Sequence, residues 1–173
     1  MVKIDPYFRD ALPPLSDQQR TQLEQNLARE GRCRDPIYTF NNAIVDGHNR
    51  YEICRERKIK FRTKALPGVN SKEEAKAWLL GEHLGRRSFE TKEALDLAIG
   101  ELYNLRKLTA EEAGQKKGSD KMSDPSVSED VKQTAEEIGA KYGVNERTIR
   151  RRGELAESFA ELATDIQREY KAG

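Results

Sequence analysis

A chain of 173 residues suffices for two small domains, but with 36% apolar against 35% charged residues it has no material for one large core plus additions. No stretch approaches the roughly 18 to 20 apolar residues that span a bilayer, and the opening MVKIDPYFRD lacks the apolar run of a secretory signal; a soluble, cytoplasmic protein with no membrane partner is expected. A formal net charge of +1 excludes a blanket positive field, so nucleic acid has to be bound locally if at all.

In chain order, Ser16 with Gln19 reads as a capping box, and Leu23 and Leu27 give an apolar stripe that stops at Gly31, which predicts a first helix. Ile37 to Phe40 are strand formers, Asn41-Asn42 turns the chain, and Ala43 to Val45 returns as a second strand. Asp46-Gly47 breaks the hairpin, and Asn49 is expected to cap a helix through Tyr51, Ile53 and Cys54 towards Arg57. Phe61, Thr63 and Ala65 alternate as a further strand. Pro67-Gly68 then turns the chain, and Ser71 with Glu74 forms a second capping box for a helix whose apolar face carries Ala75, Trp78 and Leu79. Thr91 opens a long helix with Leu95, Ala98, Leu102 and Leu105 on one buried face.

The segment TAEEAGQKKGSDKMSDPSVSED has only Met122 and Val127 as bulky apolar side chains, too few to offset the entropy of ordering it, and is read as a flexible linker over 109–130. It separates a domain over 1–108, closed by the long helix, from a DNA-binding domain over 131–173. The fold class is therefore α+β, a small mixed domain followed by an all-α one. Cys33 and Cys54 are the only cysteines, show no metal spacing, and are read as reduced core filler.

Past the linker, Thr134 and Glu137 read as a third capping box, Ile138 lies on the apolar face, and Gly143 ends the helix in a left-handed conformation. Asn145 caps a second helix in which Ile149 points inward while Arg147, Thr148, Arg150, Arg151 and Arg152 supply the exposed side. A small residue at Gly139, a turn glycine at Gly143 and an aliphatic at Ile149 are spaced as in a helix-turn-helix, whose second helix enters the major groove of double-stranded DNA. From Val131 to Gly153 six basic residues face three acidic ones, crowded at the C-terminal end, where arginine suits guanine edges and phosphates. Glu146, at the tip of that helix, favours the helix dipole. A further helix is expected from Leu155 to Tyr170.

The segments LSDQQRTQLEQNLAREGRCRDPIYTF, AIVDGHNRYEIC and GEHLGRRSFETKEALDLA stand in the order and spacing of the ParB N-terminal domain, which the chain resembles over roughly its first hundred residues. The resemblance implies a fold shared with sulfiredoxin, binding of CTP with Mg2+, association with a nucleoid or plasmid, and a role in plasmid or chromosome partition. It carries over to Gly47 and Arg50 of the phosphate-contacting motif, with His48 and Asn49 in place of its glutamate and arginine, and to Glu82 and Arg86 of a later motif, with His83 where the family has asparagine. Asp35 stands where the family has glutamine before a proline. A glycine turn feeding a helix N-terminus offers amide donors to a phosphate, and Arg50 adds a charge-assisted bond. Each of these residues also has a plain structural reading, Gly47 as a turn, Arg50 as an ion-pair partner, and Glu82 with Arg86 as an i,i+4 pair.

Sulfiredoxin chemistry needs a cysteine in the glycine turn, and His48 is there instead. A nuclease or phosphohydrolase needs a metal site, and Asp46, His48 and Glu52 follow no ligand pattern. The expected function is a DNA-binding protein acting as a homodimer on a symmetric site, with a CTPase or nuclease activity left open only by the resemblance. A ParB-fold nuclease or phosphohydrolase, or a transcription or replication regulator whose N-terminal domain binds a protein, stand as the alternatives. Soon after the last expected helix the sequence reaches Gly173, so the further dimerisation domain of complete partition proteins is not expected.

Overall fold

The computed structural model describes residues 2–85, 89, 91–116, 129–162 and 166. Its elements run β1 (Lys3–Ile4), α1 (Pro6–Arg9), α2 (Asp17–Glu30), β2 (Ile37–Phe40), β3 (Ala43–Asp46), α3 (His48–Glu56), β4 (Thr63–Ala65), α4 (Lys72–Leu84), α5 (Lys92–Lys116), α6 (Glu129–Tyr142) and α7 (Glu146–Ala160). The fold is mixed α+β, with helices predominating. Among the described residues, no helix is long and apolar enough to cross a membrane.

The chain divides into two units, Met1–Ala75 and Lys76–Gly173. In the first, the sheet order is β1-β3-β2-β4, with β2 and β3 antiparallel and the outer pairs β1/β3 and β2/β4 parallel. The β2–β3 hairpin turns on Asn41 (φ 47°) and Asn42 (φ 63°), the doubly left-handed turn whose twist suits a two-residue connection. Ile37, Ile44, Leu27, Cys33, Ile53 and Cys54 form its core, with Tyr51 and Phe61 packed against it edge to face, ring centroids 5.5 Å apart.

The Ser16–Gln19 capping box is complete: Ser16 Oγ accepts from Gln19 N–H (3.4 Å) and Gln19 Oε1 accepts from Ser16 N–H (3.1 Å). Gly31 closes α2 at φ 65°. At α4, Ser71 Oγ accepts from Glu74 N–H (3.1 Å), but the Glu74 carboxylate accepts from Asn70 N–H (2.7 Å), one residue earlier than a reciprocal box requires. Asn49 is not the cap of α3. Gly47 occupies that position at φ 94°, with no side-chain cap, so Asn49 lies inside the first turn.

In the second unit, α5 packs against α6 and α7. Leu97, Ala98, Ile99, Leu102, Tyr103 and Leu105 of α5 are buried, together with Leu79, Leu80, Ile138 and Ile149. This differs from the expected division of the chain: the long helix expected to close a domain over 1–108 shares its buried face with the C-terminal helices. Three further expectations bear on the C-terminal half. Residues 109–116 continue α5 and 129–130 begin α6, so the expected 109–130 linker is helical at both ends; 117–128 lie outside the described residues. Thr134 falls in the interior of α6, where its backbone is already helical and no cap is needed. Leu155 likewise belongs to α7, which runs without a break to Ala160; most of the expected Leu155–Tyr170 helix beyond Leu162 lies outside the described residues.

Candidate nucleic-acid interface

Two helices meet at a turn of three residues between Tyr142 and Glu146. Gly143 takes φ 68°, which a side chain would strain, and Val144 N–H donates to Gly139 O at 2.9 Å. A Cβ on Gly139 would collide with the carbonyl oxygen of Val144, so the turn folds directly onto α6 at a position only glycine fills. Ile149, fully buried, and Ile138, 1% exposed, pin the first turn of α7 to α6.

Asn145 caps α7 (φ −73°, ψ 155°), its Oδ1 accepting from both Thr148 N–H (2.9 Å) and Thr148 Oγ1–H (3.0 Å). The cap thus engages two of the residues expected to meet DNA. Arg147 and Arg151, one turn apart, are exposed, and Thr148 and Arg150 are half-buried. Arg150 Nη2 lies 2.8 Å from Glu146 Oε2, so the acidic residue at the helix tip serves both the dipole and an i,i+4 pair.

Arg152 does not belong to that exposed side. Its side chain is 13% exposed and its Nη2 lies 2.5 Å from Asp96 Oδ1 on α5. Three positions after Ile149 and next to Gly153, it falls on the flank of α7 that is buried against α5. Asp96, Gly100 and Asn104, which receive α7 on that flank, stand outside the motifs of the sequence; a glycine inside an otherwise apolar helical stripe is the signal that points to them.

In the first unit, Gly47, His48, Asn49 and Arg50 form the start of α3. Gly47 is doubly constrained, because a Cβ at its φ of 94° would also lie 2.9 Å from Ile37 Cδ1. Arg50, with its side chain 18% exposed, holds Asp46 at 2.8 Å and faces Asp35 at 3.7 Å. Burial holds the His48 imidazole below its ordinary pKa, against the pull of Asp46 and Glu52. The Arg50 guanidinium that the resemblance assigns to a phosphate is thus engaged by Asp46 and faced by Asp35. Glu82 lies on α4 in the second unit, and Arg86 lies outside the described residues. Among the described residues, no group of three or more His, Cys, Asp or Glu is placed to hold a metal ion.

Cys33 and Cys54 are buried in contact with one another, and burial first, then Cys33, pushes the Cys54 thiol up to about 11. A thiol held protonated in this way is no nucleophile at neutral pH. No protein family, curated protein or solved structure matches the chain.

Proposed function

We propose that this protein binds double-stranded DNA through the first two turns of α7, placed in the major groove. The observation that carries the reading is the turn itself: Gly139 accommodates the Val144 carbonyl, Gly143 reverses the chain, and the Asn145-capped helix presents Arg147 and Arg151 outward from a buried Ile149. That is the geometry with which a helix-turn-helix offers its second helix to base edges and phosphates. A single such module binds weakly, so a homodimer on a symmetric site is part of the same proposal.

The order of segments over roughly the first hundred residues supports a ParB-like protein at a nucleoid or plasmid, in partition or regulation. The pairing of Arg50 with Asp46 and Asp35 favours, within that reading, a regulator that needs no nucleotide. Fluorescence anisotropy with a mixed pool of duplex DNA at two salt concentrations, with and without CTP, tests both parts. Salt-sensitive binding supports DNA recognition, and its indifference to CTP supports the plain regulator. Binding that changes with CTP restores the nucleotide switch, and absence of binding removes the DNA reading.

A further inference from the structure

Between Arg55 and Lys64 the sequence reads RERKIKFRTK, six basic residues against one acidic, in a chain whose net charge is only +1. All six cations are exposed, while Ile59 and Phe61 between them pack on the core. The segment leads into β4, which stands at the edge of the sheet.

Its geometry is extended. The carbonyls of Lys60 and Arg62 accept from the N–H groups of Cys33 and Ile37, both at 2.8 Å, Lys60 forms a parallel bridge with Arg32, and Arg62 runs straight into the parallel β2/β4 ladder at Thr63, as an extended chain does. Lys60, Arg62 and Lys64 therefore leave one face of the chain at intervals of about 6.6 Å, close to the separation of successive phosphates along a nucleic-acid strand. The bridge between Arg32 and Lys60 brings exposed Arg32 alongside, and the Lys64 ammonium lies 5.9 Å from the Tyr38 ring centroid. Some neighbouring charge is spoken for, Arg57 by Glu24 and Arg34 by Glu30. Lys58, Lys60 and Lys64 make no ion pair among the described residues.

Lysine on an edge strand also discourages sheet-to-sheet pairing, and Lys64 alone meets that need. It does not account for cations at 58, 60 and 62, ahead of the strand. The geometry points to a second DNA contact on the first unit, in which Lys58, Lys60, Arg62 and Lys64 engage the phosphate backbone without reading sequence. This contact does not depend on the role proposed for α7.

The test is anisotropy of the full chain with a short random-sequence duplex over a range of salt, comparing wild type with the triple variants Lys58→Gln/Lys60→Gln/Lys64→Gln and Lys58→Arg/Lys60→Arg/Lys64→Arg. The glutamine triple is expected to flatten the dependence of log K on log salt by about 2 to 3, near 0.9 for each phosphate no longer neutralised, and the arginine triple to retain it. The same flattening is expected in an Arg147→Ala/Arg151→Ala background, which separates this surface from α7. An unchanged slope in the glutamine triple overturns the proposal, as does an equal loss in both triples, which would mark a local folding defect. A glutamine triple that loses affinity for polyglutamate but not for DNA would overturn it in favour of an acidic peptide.

Discussion

Gly100 of α5 and Arg152 of α7 meet backbone to backbone: a side chain on Gly100 would run into the Arg152 carbonyl. One turn along, Asn104 Nδ2 donates to Gly153 O at 2.9 Å, and a Cβ on Gly153 would lie 2.7 Å from the Tyr103 ring. Because the obstacle is main chain and not a flexible tip, Gly100→Ala is expected to cost about 1 to 3 kcal/mol. Urea unfolding measures this, and an unshifted midpoint would show that α7 does not seat on α5 here.

The arginines of α7 separate into two kinds. Arg147→Ala/Arg151→Ala is expected to weaken DNA binding and to lower its salt dependence by about 0.9 in slope for each phosphate the arginines neutralise, with the fold unchanged by circular dichroism. Arg152→Ala is expected to lower stability by about 1 to 3 kcal/mol, because Asp96 would be left partly buried without its partner. Equal effects of all three substitutions on binding, with none on stability, would contradict this division.

Arg50 is expected to act as a structural pair with Asp46. Calorimetric titration with CTP and with ATP should give the same trace for wild type and Arg50→Ala, while the variant unfolds at lower urea. A heat of CTP binding that disappears in Arg50→Ala would instead make the guanidinium a phosphate ligand and show that Asp46 releases it.

Burial depresses the pKa of His48, so the folded chain resists a proton that the unfolded chain accepts near 6.5. Stability is therefore full above that value and declines as the pH falls below it, until the folded imidazole also titrates. Urea midpoints between about pH 7.5 and pH 5.5 should fall for wild type and flatten for His48→Gln. Parallel curves for the two proteins would place the pH dependence elsewhere.

Much of the first unit is legible because its signals are local. Ser16 and Gln19 satisfy each other within one turn, and Asn41-Asn42 accept positive φ where most residues do not. The two-residue strand β1 has no such signal, since its parallel partner lies some forty residues on. Helix α1 is only one turn long, too short for an apolar period, and its start is marked solely by Asp5 accepting from Tyr7 N–H and by Pro6 in the first turn. Thr134 misleads because a capping pattern cannot reveal that a helix is already running. In the candidate site, Gly139, Gly143, Asn145 and Ile149 are readable from spacing alone. Charge groups Arg152 with the exposed arginines, although its offset from Ile149 places it on the inner flank. The basic run before β4 is hard to see in the sequence, because balanced charge over the whole chain hides a cluster only about ten residues long.

With Cys33 and Cys54 both buried and the Cys54 thiol pushed up to about 11, the folded protein is expected to react slowly with a maleimide. A cysteine introduced on the surface will therefore take a fluorophore without removal of the native pair. The same pair becomes a built-in clock for opening of the first unit: the rate at which Cys33 and Cys54 are alkylated reports how often that core is breached, with no substitution at all.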